Sequence, residues 1–155
     1  MILLIFLSLF IDVSSECTPL RTVRREYHKI ENKQDLNDFI AITENNEKCK
    51  STKPYYASAI MQKAKYAIWP STKYKYFKKG KKLLEDFIAN NSEHIEGRYV
   101  RVMVQSNTPG FLNYDKNIQE DIAFILENIP DNNIDKSYRH IMINNIRAIL
   151  KEKQK

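Results

Sequence analysis

The chain has 155 residues, of which 43% are hydrophobic and 28% charged, and Lys and Arg (25) outnumber Asp and Glu (19). This length and composition are sufficient for one domain with a proper core. With only 3 glycines and no Pro-, Gly- or Ser-rich linker, the sequence gives no sign of a second domain.

Residues 1–15 are predicted to be a signal peptide, and residues 16–155 a single helical domain. The first eleven residues, MILLIFLSLFI, are almost wholly apolar, but a membrane span needs about 20 residues. Small residues at Val13-Ser14-Ser15 suit cleavage before Glu16. Signal peptides usually have a Lys or Arg before the apolar run. None is present here. A start codon assigned too far downstream would explain this, and a buried N-terminal helix is the alternative.

The two cysteines, Cys17 and Cys49, are 32 positions apart. In an exported chain this pair predicts one disulfide, which would stabilise the fold by about 3–4 kcal/mol in the chain-entropy treatment. Two alternatives stay open, namely free thiols and a lipoprotein anchored through Cys17. Glu16 argues against the anchor, because the lipoprotein site requires a small residue there.

Apolar residues recur at helical spacing along the rest of the chain, and no segment shows a sustained strand-like alternation. The helical segments are predicted over residues 20–30, 35–45, 54–68, 73–88, 93–106, 117–129 and 135–150. Short loops between amphipathic helices imply antiparallel neighbours. The predicted class is therefore all-α, with antiparallel helical hairpins in a repeat-like right-handed array or an irregular bundle of about six helices.

Helix ends are marked by local signals. Pro54 is predicted to open a helix that Trp69-Pro70-Ser71 stops, and this tripeptide also begins the next helix. Asn117 and Glu120 form an approximate capping box, and Asp135 is predicted to cap the last helix.

The predicted centre of the fold is a helical hairpin over residues 73–106 with a break at Asn90-Asn91-Ser92. Gly80 lies within the apolar stripe of its first helix, where a glycine permits a close helix crossing. The spacing of Gly80, Leu84, Phe87 and Ser92 resembles the second half of a tetratricopeptide repeat. The next helix has arginines where that family has large apolar residues, so no peptide groove is inferred.

Arg98, Arg101 and Gln105 share one face of the second helix and form a fork-like set of hydrogen-bond donors. The loop Asn107–Tyr114 follows, and its apolar residues Phe111, Leu112 and Tyr114 are predicted to fold back on the hairpin. The donors either bond to loop carbonyls and to Glu120 and Asp121, or capture a small anion. The candidate ligand-binding residues are Arg98, Arg101, Gln105, Asn107, Tyr114 and Trp69.

Positive charge is concentrated between Lys48 and Lys82, where there are eleven lysines and no Asp or Glu. Tyrosines, Trp69 and Phe77 are interleaved with these lysines. Basic plus aromatic composition is typical of a surface for anionic polymers, and the alternative is a solvated lysine face over aromatic core residues. Export excludes nucleic acid as a partner and leaves phospholipid headgroups, lipopolysaccharide and acidic glycans.

No catalytic motif is present in the sequence. His28, His94 and His140 lie in three separate segments, and none stands at a recognisable spacing from a nucleophile or carboxylate. There is no phosphate-binding glycine loop, no metal-ligand cluster and no cofactor signature. The sequence therefore favours a protein that is not an enzyme.

One resemblance rests on residues 53–129. The runs YAIWP and KYFKKG and the pattern R-Y-x-R-x-x-x-Q-x-N-x-P-x-F-L-x-Y, which covers residues 98–114, resemble a family of uncharacterised exported helical proteins from Bacteroidetes bacteria. The resemblance implies an exported bacterial protein with the central hairpin. It implies no activity.

Two functions of different class follow from these observations. The first is a non-enzymatic helical binding or scaffold protein of the bacterial envelope, with a protein or an anionic envelope component as partner and peripheral contact with the membrane. The second is an enzyme or small-anion-binding protein whose pocket is closed by the Asn107–Tyr114 loop. If Glu120 or Asp121 accepts the hydrogen bonds of both arginines, the first of these two functions is favoured.

Overall fold

The computed structural model describes residues 17–152, and these residues form an all-α bundle, as predicted. The signal peptide prediction falls on residues 1–15, outside the described residues. Seven α-helices run in chain order: α1 Leu20–Tyr27, α2 Lys33–Glu44, α3 Lys53–Gln62, α4 Pro70–Asn90, α5 Ile95–Ser106, α6 Ile118–Asn128 and α7 Lys136–Glu152. Short 3₁₀ turns occupy Lys50–Thr52, Lys63–Tyr66 and Gly110–Leu112.

Helix α5 is the most buried of the longer helices and has apolar neighbours on several sides. Its residues Ile95, Tyr99, Val100 and Val102 are all buried in one continuous core. The apolar residues at helical spacing in α2, α6 and α7 are inward as well, except for Ile141 of α7, which that spacing predicts to be inward and which is 40% exposed. They contribute Leu36, Phe39, Ile40, Ile118, Ile122, Ile125, Tyr138, Met142 and Ile146.

Gly80 makes the close helix crossing that its position predicts. A Cβ atom at Gly80 would lie 2.5 Å from the carbonyl oxygen of Ala57 and 2.8 Å from the backbone nitrogen of Met61. Only a glycine lets α4 approach the backbone of α3 this closely. Consequently α4 packs more extensively along α3 than along α5, its predicted hairpin partner.

The segment between α3 and α4 differs from the prediction. Helix α3 ends at Gln62, followed by the 3₁₀ turn, and both Ala67 (ψ 142°) and Trp69 (ψ 134°) are extended. Pro70 favours an extended residue before it, which accounts for the conformation of Trp69. Ile68, the last residue of the helix predicted over residues 54–68, is 85% exposed.

Two helix starts follow the prediction and one does not. Pro70 is the first residue of α4, and Asp135 Oδ1 accepts a hydrogen bond of 2.9 Å from the backbone N–H of Tyr138, so it caps α7. The capping box at Asn117 and Glu120 is wrong, because the Asn117 side chain makes no capping hydrogen bond. It accepts one from Gln105 Nε2 at 3.2 Å instead.

A disulfide joins Cys17 and Cys49, whose Cα atoms are 5.9 Å apart. It attaches the segment before α1 to the turn before α3. A disulfide-bonded Cys17 carries no thiol for lipid attachment. Between residues 17 and 152, none of the helices combines the length and apolar character that crossing a membrane requires.

Candidate functional site

The arginines predicted from the sequence lie in a network of ion pairs, here called the arginine cluster (Glu85, Arg98, Arg101, Tyr114 and Asp121). Arg101 donates from Nε and Nη2 to the two oxygens of Asp121, at 2.7 and 2.8 Å. Its Nη1 donates to Glu85 Oε2 at 2.8 Å. This bidentate geometry is the strongest form of an arginine–carboxylate pair, and Asp121 is fully buried.

Arg98 completes the coordination of Asp121. Its Nη1 donates to Asp121 Oδ1 at 2.8 Å, and its Nε donates to the carbonyl oxygen of Ser92 at 2.8 Å. The guanidinium also lies 4.2 Å from the ring centre of Phe124, within the range of a cation–π contact. Glu120 is a more distant partner at 3.4 Å. The donors of Arg98 are therefore directed at neighbouring groups of the protein.

The loop Asn107–Tyr114 is fixed to this cluster at one end. The Tyr114 hydroxyl donates to Glu85 Oε1, and its ring packs edge-on against Phe77 with centres 5.8 Å apart. Burial, followed by the bond to Glu85, raises the pKa of Tyr114 well above its usual range.

Earlier in the same loop, Phe111 is 81% exposed, so the prediction that it folds back on the hairpin is wrong. The turn is made by Asn113, which has a left-handed φ of 47° and belongs to a residue type that tolerates this conformation.

The remaining candidate residues do not converge on the arginines. Gln105 is buried beside Asn117, and its Oε1 has no hydrogen-bond partner within the described residues. The Asn107 side chain donates to the carbonyl of Met103 at 2.8 Å on the exposed side of α5. Trp69 directly precedes α4 and is sixteen positions before Glu85. Along a helix, this separation between Trp69 and Glu85 is roughly 24 Å. The six candidates therefore do not line one common pocket.

A second buried network was not predicted from the sequence, and we call it the glutamate cluster (Arg24, Tyr55, Glu96 and Tyr138). Glu96, in the first turn of α5, accepts two hydrogen bonds from Arg24 of α1, with Nε at 2.8 Å from Oε2. It also accepts one from the Tyr55 hydroxyl of α3. Arg24 and Glu96 are only 2% and 4% exposed. Three helices thus meet at one buried carboxylate.

The glutamate cluster extends towards the surface through hydroxyl groups. Tyr55 and Tyr138 are joined by a hydrogen bond of 2.9 Å, and Tyr138 lies 3.3 Å from His28 Nε2. Burial, with the negative charge of Glu96 as a further cause, raises the pKa of Tyr55 well above its ordinary value. Both hydroxyls therefore stay protonated and serve as donors. His28 is exposed as a residue, but desolvation of its ring lowers its pKa.

A signal for this cluster exists in the sequence, although it is easily passed over. Arg24 follows Leu20 by four positions and precedes Tyr27 by three, so it lies on the apolar stripe of α1. Glu96 adjoins Ile95 and Gly97 at the buried start of α5. A charge on an inward stripe needs a buried partner of opposite charge. The spacing does not identify that partner, which lies 72 positions away.

The lysines show the opposite arrangement. Helix α4 has an outward stripe of four exposed lysines, here called the lysine face: Lys75, Lys78, Lys79 and Lys82. An open depression of about 380 Å³ lies among these side chains, Leu83 and Asp86. Among the eleven lysines of residues 48–82, all of which the structure describes, Lys82 alone forms an ion pair, with the exposed Asp86. Nine of the eleven are exposed and the other two, Lys63 and Lys81, are half-buried.

Large apolar side chains are exposed next to the lysine face, in a group we call the apolar corner. Ile68 is 85% exposed and Trp69 is 70% exposed. Tyr66 and Tyr74 are exposed as well, so the four residues occupy the connection into α4 and its first turn. Exposed apolar residues that are contiguous usually mark an interaction site, whereas single ones need no explanation.

No protein family model, curated protein or solved structure matches the chain.

Proposed function

We propose that this chain is an exported, non-enzymatic helical binding or scaffold protein of the bacterial envelope, and that it binds anionic envelope components through the lysine face. The observation that carries the proposal is the contrast in charge pairing between the interior and α4. Arg24, Arg98 and Arg101 all bond to buried carboxylates of the protein, whereas the four lysines of the lysine face are exposed and only Lys82 among them forms an ion pair.

Charge complementarity indicates the kind of partner. The lysine face presents four positive charges with one neighbouring carboxylate, Asp86. Such a face attracts phosphate- or sulfate-bearing polymers and lipids over about one Debye length, close to 8 Å at physiological ionic strength. A small-anion pocket at Arg98 and Arg101 is less favoured, because a ligand would have to displace Asp121 from both guanidinium groups.

The lysine face can be tested with a sulfated polysaccharide as the anionic probe. We expect the purified protein to be retained on immobilised heparin and to elute at lower salt when Lys75, Lys78, Lys79 and Lys82 are all changed to Gln. The matched control changes four exposed basic residues of other segments, Lys116, Lys136, Arg147 and Lys151, to Gln. The net charge of the two variants is then equal, so equal elution would contradict a specific role for α4. If the parent protein binds neither heparin nor anionic vesicles, the proposed function is contradicted.

The exported location rests on the apolar run of residues 1–11. Mass spectrometry of the protein from its native host should give an N-terminus near Glu16. An intact Met1 in a cytosolic fraction would contradict export.

A further inference from the structure

The apolar corner precedes the lysine face along the chain and ends at Tyr74, next to Lys75, and we propose that the corner inserts Ile68 and Trp69 into the interfacial region of an anionic phospholipid bilayer. This inference rests on the proposed function, because it assigns the partner of the same basic surface. It concerns peripheral contact of the folded domain with the membrane.

Exposure at the corner is a consequence of the backbone. The extended conformations of Ala67 and Trp69, and the start of α4 at Pro70, place the two most exposed side chains of the corner outside both helices. No hydrogen bond, ion pair or aromatic contact of the Ile68 or Trp69 side chain is present within residues 17–152. Burial of the two side chains against a bilayer would remove a large apolar area from water.

The residue types suit the interface between lipid headgroups and acyl chains. Tryptophan and tyrosine concentrate at this depth because each has an apolar body and a polar group that stays hydrated. Trp69, Tyr66 and Tyr74 are such residues, and Ile68 supplies a purely apolar side chain at the most exposed position. An isolated exposed aromatic needs no explanation, whereas Ile68 and Trp69 are consecutive and both exposed, with the exposed Tyr66 and Tyr74 on either side of them along the chain.

The surrounding charge selects an anionic membrane. Three exposed lysines adjoin the corner in the sequence. Lys65 precedes Tyr66, and Lys73 and Lys75 flank Tyr74. No acidic residue occurs from Lys48 to Lys82, so no nearby carboxylate in this stretch opposes approach to phosphate groups. Each lysine near an anionic surface strengthens binding by about fivefold. Electrostatic attraction and apolar insertion together are the two signals that a stable peripheral contact requires.

Trp69 is the single tryptophan of the chain, so its fluorescence reports on the corner alone. We expect vesicles of phosphatidylglycerol and phosphatidylcholine to shift the emission to shorter wavelength and to protect Trp69 from acrylamide. Lipids brominated in the upper acyl chain should quench it. Vesicles of phosphatidylcholine alone should give neither effect, and heparin should bind without the blue shift.

Two matched variants separate insertion from simple charge attraction. Ile68→Ser should weaken binding to the anionic vesicles by about tenfold while leaving retention on heparin unchanged. Ile141→Ser on α7, where the isoleucine is also exposed, should leave both unchanged. Because Ile68 is exposed, its change should not alter the melting temperature.

The outcomes distinguish this inference from the proposed function. Binding to anionic vesicles with Trp69 still open to acrylamide would overturn insertion and leave the lysine face as the binding surface. Equal effects of Ile68→Ser and Ile141→Ser would also overturn insertion. Binding to heparin with no binding to vesicles would assign the surface to acidic glycans and overturn the lipid partner. Failure to bind either probe would overturn the proposed function itself.

Discussion

The glutamate cluster lies at the start of helix α5 and the arginine cluster around its middle, and the two clusters reverse the roles of acid and base. At the start of α5, Glu96 is the buried acceptor for donors from α1 and α3. Near the middle, Arg101 is the donor, and its acceptors are Glu85 of α4 and Asp121 of α6. The start and the middle of α5 are therefore connected to different sets of helices.

The two clusters also differ in the sequence distance that they bridge. Arg24 and Glu96 are 72 positions apart, and Tyr55 and Tyr138 are 83 apart. The arginine cluster connects residues 16 to 29 positions apart. The glutamate cluster thus holds the N-terminal helices and α7 around α5, whereas the arginine cluster fixes neighbouring segments and one loop. Breaking the first should affect global stability more than breaking the second.

The largest effect is expected for Arg24→Met. This change leaves Glu96 buried with the Tyr55 hydroxyl and without its cation, and breaking a buried pair in this way costs about 3–5 kcal/mol. We expect a fall of about 10 °C in the melting temperature, measured by circular dichroism. Arg25→Met is the matched control, because Arg25 is exposed and pairs only with its neighbour Glu26.

A double-mutant cycle sharpens the same prediction. The change of Arg24 and Glu96 together to Met leaves Tyr55 and Tyr138 bonded to each other, so no buried charge remains. The loss in the free energy of unfolding of the double variant should be smaller than the sum of the losses of the two single variants, by about 2 kcal/mol or more. Strict additivity would show that the two residues do not stabilise each other.

The second effect is expected for Arg101→Met. Asp121 then keeps Arg98, and Glu85 keeps Tyr114, so the loss in the free energy of unfolding should be about 3 kcal/mol, at the lower end for a buried pair. Chymotrypsin should also cleave faster in the Asn107–Tyr114 loop, where Phe111 is exposed. The exposed Arg147→Met serves as control. Full stability would mean that the arginines are not structural, and a small-anion screen by thermal shift would then be justified.

The difference in sequence distance explains which features could be predicted. Helix periodicity predicted the all-α class and the inward faces of Ile118, Ile122 and Ile125, because burial of a stripe follows from local spacing. Asp121 was a predicted partner of Arg101, because it lies in the next helix of the chain. The partnership of Arg24 with Glu96 could not be predicted, because it depends on how distant helices pack.

The errors in the predicted fold have equally local causes. The helix predicted over residues 54–68 assumed that α3 continued to Ile68, but Ala67 is already extended and a 3₁₀ turn replaces the last helical turns. Phe111 was placed inward because of its apolar character alone. The left-handed Asn113 reverses the chain so that Tyr114 faces Glu85 and Phe111 faces solvent.

A smaller effect is expected for Tyr114→Phe, which tests whether the arginine cluster holds the loop. The variant removes one hydroxyl donor from Glu85 but retains the ring against Phe77. Because Arg101 still bonds to Glu85, the expected cost is about 1 kcal/mol, with faster chymotrypsin cleavage of the loop. The exposed Tyr74→Phe is the control. A cost as large as that of Arg101→Met would show that the loop contact, rather than the ion pair, is the main source of stability.

The smallest effect concerns pH at the end of α5 that carries the glutamate cluster. His94 is the N-cap residue of α5, and its Nδ1 accepts a hydrogen bond of 3.0 Å from the backbone N–H of Gly97. Protonation of Nδ1 would remove this acceptor. Burial is the main reason that the pKa of His94 is lowered, while the nearby carboxylate of Glu96 opposes the shift.

The direction of the pH dependence follows from this lowered pKa. As the pH falls below about 6.5, the unfolded chain binds a proton at His94 before the folded protein does, so the free energy of unfolding decreases until the pH passes the folded-state pKa. We expect a loss of about 1 kcal/mol or less, measured by urea unfolding at about pH 7.5 and 5.5. The His94→Asn variant keeps a capping acceptor that does not titrate. Its free energy of unfolding should therefore change less over this pH range. The pH dependence that remains should come from His28, whose pKa is also lowered by burial. A slope for His94→Asn equal to that of the parent would show that the cap of α5 does not titrate.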